Sequence, residues 1–322
     1  IDAGYLRPGV ACFYLLESEG ECAVIDTGTA LSFPRLQQVM AERSLLPEQI
    51  RYVIPTHVHL DHAGGAGTMM AAFPAAELLI HPRGARHMVD PGRLVASAKQ
   101  VYGDREFGRL YGEITPVDPS RVREMEDGSC VSLGGRKLEF RHTRGHADHH
   151  FCVWDAASRG WFSGDMFGVS YSWFRFPGGD YLLPTTTPTQ FDPEAYAQSL
   201  RLLASYEPEN MYIAHSGQID FTTEKLSLLD RQVRDYAGLA TSFRDDMPGL
   251  VEALFEYSLE LLALFDSGHS EAELRDMLAF DVDLNAQGLA MWQLRHPVSY
   301  THLTLPTNTV TWSCGWGGGR YS

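Results

Sequence analysis

Six residues constrain this chain more than any others. In Pro55-Thr56-His57-Val58-His59-Leu60-Asp61-His62-Ala63-Gly64-Gly65, three imidazoles and a carboxylate follow directly on the apolar run Tyr52-Val53-Ile54. An extended backbone sends side chains i and i+2 to the same side, so His57 and His59 can point at one ion. Asp61 and His62 come as the chain turns and can face a second ion close by. Gly64 and Gly65 let the backbone leave a crowded site. Neutral imidazole and carboxylate are ligands for zinc, iron and manganese rather than for copper(I). A lone His-x-His is more often a surface pair, whereas His-x-His-x-Asp-His at the end of an apolar strand is far more specific.

Length and composition leave room for such a site in an ordinary globular body. The chain has 322 residues, 44% hydrophobic and 21% charged, with a formal net charge of −15. That acidity argues against nucleic acid as a partner, because phosphate binding draws its affinity from cationic side chains. It argues equally against docking on anionic membranes. No uninterrupted apolar run is long enough to span a bilayer. No secretory signal is seen, although the chain starts at Ile1 without Met. Cys12, Cys22, Cys130, Cys152 and Cys314 form no Cys-x-x-Cys pair, and the first four lie in strand-like runs. Buried thiols in a reducing compartment follow, and a cytoplasmic location with them.

Along the chain, 11–17 and 21–27 read as a hairpin turning at Ser18-Glu19-Gly20. Asp26 ends its second strand and serves either as a turn or cap residue or at the site. Residues 32–45 have helical periodicity, 51–56 is the strand that delivers the metal loop, and 65–73 and 76–81 continue as helix and strand. Between Pro82 and Ser120 lies a helix-rich insertion (83–89, 93–102, 104–112) whose Tyr102, Arg105 and Tyr111 are expected to cover a substrate cleft. His81 and His87 are read as structural or surface residues, not ligands. Strands at 122–125, 129–133 and 137–142 lead into Thr143-Arg144-Gly145-His146-Ala147-Asp148-His149-His150, and a second hairpin ends in Ser163-Gly164-Asp165. The aromatic stretch 170–189 has no periodicity, and fits an ordered wall near the site as well as a packed surface crossover. Asp192 caps a helix with Pro193 at its first position, running to about Tyr206. A strand then ends at His215, and amphipathic helices follow at 222–241, 248–266 and 270–280.

The stretch Thr56-His57-Val58-His59-Leu60-Asp61-His62 resembles the signature of the metallo-β-lactamase superfamily. His146, Asp165 and His215 fall in the order that pattern asks for, each after a strand-like run. The resemblance covers roughly residues 10–220 and does not extend clearly into the C-terminal helices. It implies an α+β fold, a four-layer αβ/βα sandwich with C-terminal helices added. It divides the chain into a catalytic domain over 1–220 and a helical segment over 221–297 packed on it.

The resemblance also implies the ligand plan. His57, His59 and His146 hold one metal, Asp61, His62 and His215 a second, and Asp165 bridges them. Asp26 would buttress the metal loop. Two divalent ions, zinc first with iron or manganese as alternatives, would lie roughly 3.5–4 Å apart and share a hydroxide that attacks a small-molecule substrate. Asp61 is the candidate to orient that hydroxide and move its proton. The expected enzyme is a hydrolase of an ester, thioester or lactone, glyoxalase II-like or lactonase-like. Thioesterases of the family often carry Pro where Arg144 stands here, which puts positive charge near the mouth. His149 and His150 are read as packing at a strand end or behind the ligands, with a metal role for His149 the lesser reading.

A second class of enzyme fits part of the plan: a mononuclear iron oxygenase of the persulfide dioxygenase type, using only the first site. The joint presence of Asp61, His62 and His215 argues against it. A β-lactamase, a nuclease and a non-enzymatic scaffold fit less well. The oligomeric state has no sequence signal. Residues 298–322, opening Val298-Ser-Tyr-Thr-His-Leu-Thr-Leu-Pro-Thr307 and closing in a Gly-rich run, resemble translated sequencing-adapter sequence. They are expected to be a non-native tail, which removes His302 and Cys314 from the site reasoning.

Overall fold

The structure is a computed structural model that describes residues 1–186, 190–215 and 217–296. The tail expected to be non-native lies outside the described residues. Strands β1 (Tyr14–Ser18) and β2 (Glu21–Ile25) form an antiparallel hairpin. Helix α1 (Phe33–Glu42) then crosses over to β3 (Ile50–Ile54), which lies parallel to β2. Helices α2 (Leu60–Ala63) and α3 (Ala66–Ala72) connect it to β4 (Glu77–Ile80). The insertion supplies α4 (Pro82–Val89), α5 (Gly92–Tyr102) and α6 (Asp104–Tyr111) before β5 (Val122–Glu124) completes a five-stranded sheet in sequential order.

The second half builds the other sheet. Strands β6 (Cys130–Leu133), β7 (Arg136–His142), β8 (Phe151–Asp155) and β9 (Gly160–Gly164) run as an antiparallel meander. A two-residue ladder, β10 (Arg175–Phe176) with β11 (Gly179–Asp180), sits in the aromatic stretch. Helix α7 (Pro193–Ala204) then leads to β12 (Asn210–Ile213), parallel to β9, and β13 (Gly217–Asp220) closes a six-stranded sheet. Helices α8 (Thr223–Ser242), α9 (Met247–Leu262) and α10 (Glu271–Arg295) follow.

Alternation along the strands makes this a sandwich. Successive side chains of a strand point to opposite faces, and here both faces are apolar. In β2, Ala23 and Ile25 join one core while Cys22 and Val24 join another; in β4, Leu79 parts in the same way from Leu78 and Ile80. The first core, with Phe140, Phe151, Val153 and Phe162 of the second sheet, is the layer between the sheets. The other lies outside them under the helices, and Leu36 of α1, Met69 of α3, Leu200 of α7, Leu229 of α8, Leu254 of α9 and Leu278 of α10 all belong to it. Strands buried on both faces read as continuous apolar runs, as Tyr52-Val53-Ile54 does. No helix of the described residues is long and apolar enough to cross a membrane.

Two sequence expectations need correcting. The last helix, expected over 270–280, runs on to Arg295. Beyond Phe280 it buries Asp281, Asn285 and Gln293 beside Val282, Ala286 and Leu289, which continue the apolar spacing of Leu274 and Leu278. Strand β13 was not anticipated, and it pairs antiparallel with β12. The stretch 170–186 proves to be packed: Tyr171, Phe174, Tyr181, Leu182 and Leu183 are buried in the outer core.

Candidate metal centre

Every site side chain named from the sequence reaches one place, at the strand ends along one edge of the sandwich. Donor atoms gather in three overlapping groups: His57, His59 and His146; His57, His62 and Asp165; and Asp61, His62 and His215. None of the seven faces away. His59 caps α2, so Asp61 and His62 sit in its first turn, one turn past the extended segment carrying His57. Asp165 follows β9 at once. Gly164 before it has φ +50, and a Cβ there would lie 2.5 Å from Thr56 Oγ1 and 2.6 Å from His150 Nε2, so only glycine delivers Asp165 to this position.

The hydrogen bonds behind the imidazoles fix which nitrogen faces inward. Asp26 Oδ1 accepts from the Thr56 amide and from Thr56 Oγ1, both at 2.8 Å. With its proton given to Asp26, Thr56 Oγ1 accepts from His57 Nδ1 at 3.1 Å. Asp26 Oδ2 takes the Nδ1–H of His62 at 3.1 Å. Thr185 Oγ1 donates to the Asp165 carbonyl (3.0 Å) and so accepts from His146 Nδ1 (2.8 Å). The carbonyl of Val10 accepts from His215 Nδ1 at 2.7 Å. Four imidazoles therefore present an Nε2 lone pair to the centre. His59 presents Nδ1, which lies 2.8 Å from His57 Nε2 and 3.2 Å from His146 Nε2.

This donor set fits divalent cations. Lone pairs facing one another at such distances repel unless a shared proton or a cation sits among them, and a cation can serve all three nitrogens at once. Burial, and after it the neighbouring imidazoles, keeps His57 and His59 well below the ordinary imidazole range, and burial lowers His146 too. Those three are neutral, the form that binds metal. The second group differs. Burial opposes charge on His62, but Asp165, Asp61 and Asp26 outweigh it and raise its pKa well above normal. His215 is raised as well, burial being outweighed chiefly by Asp165. The carboxylates there call for positive charge, which a metal ion supplies in place of protons. Asp165 spans both groups: Oδ1 is 3.2 Å from His62 Nε2 and 3.3 Å from His215 Nε2, and Oδ2 is 3.3 Å from His146 Nε2. His62 Nε2 and Asp165 Oδ1 are buried without a hydrogen-bond partner, a costly state that coordination would relieve. Asp61 Oδ2 stands 3.6 Å from His62 Nε2 and 3.7 Å from His215 Nε2, and its side chain is 21% exposed against 8% for Asp165.

The surroundings were legible in part. Asp26 takes the buttressing place, at φ +55, a conformation costing roughly 1–3 kcal/mol against which its three hydrogen bonds work. His149 accepts from the Val58 amide at 3.4 Å, and His150 contacts Thr143 Oγ1 at 2.8 Å; both pack behind the ligands. His81 accepts from the Arg83 amide as the cap of α4 and packs on His142, ring centroids 4.0 Å apart, outside the three donor groups. Of the insertion residues, Tyr111 is buried and its hydroxyl lies 3.0 Å from that of Tyr5. Burial, and then the charge of Asp61, raises both phenols. Tyr102 and Arg105 are exposed. Thr185, Tyr5 and the Val10 carbonyl escaped the sequence reading, and a backbone carbonyl leaves no sequence signal at all.

Comparisons with known proteins agree with this architecture. The family model described as metallo-beta-lactamase superfamily matches residues 6–215. A metallo-beta-lactamase fold-containing protein of Sulfurisphaera tokodaii is 27% identical over 216 residues, 66% of this chain and 75% of the relative. An acyl-coenzyme A thioesterase of Gallus gallus is 27% identical over 188 residues, covering 54% of this chain and 64% of its own. A hydroxyacylglutathione hydrolase of Aeromonas hydrophila is 25% identical over 203 residues, covering 63% and 59%. The chain thus spans less than two thirds of the length of these two enzymes. Among solved structures, an archaeal superfamily protein from Sulfolobus tokodaii superposes with a TM-score of 0.55 at 25% identity, covering 71% of this chain and 80% of that one. A metallo-beta-lactamase family protein from Thermus thermophilus gives 0.61 at 18% identity over 88% of each chain, a likeness of fold that reaches into the C-terminal helices. The chain belongs to the metallo-beta-lactamase superfamily.

Proposed function

We propose that this protein is a dinuclear metal hydrolase that cleaves an ester, thioester or lactone of a small molecule. The observation that carries the reading is the pair of adjacent donor groups sharing Asp165, whose two oxygens face different groups. The names of the thioesterase and hydroxyacylglutathione hydrolase relatives point to the same bond class. His57, His59 and His146 would hold one ion and Asp61, His62 and His215 the other, with Asp165 between and zinc the first choice of metal. The ions would supply Lewis acidity toward an electrophilic carbonyl and acidify water at neutral pH. Asp61 Oδ2 is our candidate proton acceptor. It is the more open of the two carboxylates, and it faces Nε2 of both His62 and His215, which orient it. The phenols of Tyr5 and Tyr111, kept protonated, would offer hydrogen-bond donors to a substrate beside Asp61. We assign catalysis to residues 1–220 and treat the helices after 221 as a segment packed on that unit.

The test is metal analysis of the purified protein together with a panel of thioester, lactone and phosphodiester substrates, run anaerobically on zinc- and manganese-loaded protein. Two ions per chain with thioester or lactone cleavage is the expected result. Activity confined to iron-loaded protein in air would overturn the reading in favour of an oxygenase.

A further inference from the structure

Helix α10 lies wholly outside the region matched by the family model, yet one stripe of it faces the candidate metal centre's supporting loop. Asp281, Asn285 and Gly288 recur at i, i+4 and i+7, one face of a helix. Tyr171 donates to Asp281 Oδ1 at 2.9 Å. Asn285 Oδ1 accepts from the Thr186 amide at 2.8 Å, and the Thr186 hydroxyl, 2.9 Å from both Oδ1 and the backbone carbonyl of Asn285, donates back to the helix. Gly288 lets the backbones meet, since a Cβ there would stand 2.2 Å from the Thr186 carbonyl oxygen.

The far side of that loop touches both donor groups. Thr185, next to Thr186, holds His146 Nδ1 and the Asp165 carbonyl. Tyr171 sets its ring edgewise to His215, centroids 6.3 Å apart, and the Ser170 amide before it donates to the His215 carbonyl at 2.6 Å. A helix that only packed would bury apolar side chains here, as α10 does with Leu274, Leu278 and Leu289. Burying Asp281 and Asn285 instead costs desolvation that their hydrogen bonds must recover.

We propose that Asn285 and Asp281 are positioning residues of the candidate metal centre: Asn285 sets His146 through Thr186 and Thr185, and Asp281 sets the His215 side through Tyr171. The proposal rests on the ligand reading above. It makes the C-terminal helix part of the machinery that aims the ligands.

The test uses the full chain loaded with Co2+, whose visible absorption reports coordination geometry, with affinity measured by competition against a chromophoric chelator. Asn285→Ala should weaken binding about tenfold, in the range found for partners behind metal ligands, and alter the absorption. Asp281→Asn should disturb only the ion on the His215 side. Leu254→Ala, a buried residue of α9 rather than of the stripe, is the control: it should lower thermal stability and leave absorption and affinity unchanged. If Asn285→Ala merely loses thermal stability as the control does, the proposal is overturned. Should that variant not fold, Thr186→Val, which keeps the amide bond to Asn285 and loses only the hydroxyl, is judged by the same criterion. A His146→Ala variant separates this proposal from the ligand reading beneath it. If it leaves bound cobalt and its absorption unchanged, the ligand reading fails and takes this proposal with it. If it abolishes the signal while Asn285→Ala does not alter it, this proposal alone fails.

Discussion

The two donor groups are built on different electrostatic terms. The first is three neutral imidazoles, two of them buried and His59 half-buried, whose lone pairs converge with no carboxylate of their own. The second mixes His62 and His215 with the half-buried carboxylate of Asp61, and holds its imidazoles toward the charged form. The first can bind a cation only through lone pairs oriented by outside partners. The second attracts positive charge whatever the orientation. Orientation should therefore govern the first group, and charge balance the second.

The largest effects would come from removing a ligand from one group at a time. His59→Ala should empty the first group and abolish turnover. His215→Ala should keep one ion per chain, read by metal analysis, and lose more than the roughly 10²–10⁴-fold that a missing proton acceptor costs. If His215→Ala left turnover intact, the second group would have no catalytic part and the comparison would break. Next in size is Asp61→Asn, which leaves the fold unchanged and takes the proton acceptor away. A kcat reduction of roughly 10²–10⁴-fold is expected, with the second ion held more weakly because that group loses its own carboxylate; an unchanged kcat would remove Asp61 from the chemistry.

Two substitutions behind the ligands sharpen the contrast. Asp26→Asn touches His62 directly and His57 through Thr56, so it should weaken both ions by about 10–100-fold. Thr56→Val removes the partner of His57 Nδ1 and leaves the Asp26–His62 bond in place, so it should weaken mainly the first, by about tenfold; equal losses at both sites would show that the groups are not separately supported. The smallest effect concerns a histidine outside both groups. His81→Ala removes the cap of α4 and should cost about 1 kcal/mol of unfolding free energy. The unfolding curve should shift while metal content stays the same.

The sequence alone determined the types of the gathered donor side chains and their order. His-x-His-x-Asp-His on a strand end needs only local backbone geometry to be read, and the apolar runs of β2, β3 and β4 announce strands buried on both faces. The tertiary structure decided everything that depends on partners distant in sequence. Val10 meets His215 across 205 residues, Thr185 meets His146 across 39, and Asn285 meets Thr186 across 99. By residue type Asp281 and Asn285 read as solvent-facing, although Val282, Ala286 and Leu289 carry the apolar spacing of α10 past Phe280. They are buried instead, because a buried amide or carboxylate is stable wherever the fold brings it a partner, and local sequence carries no record of which distant residue that will be.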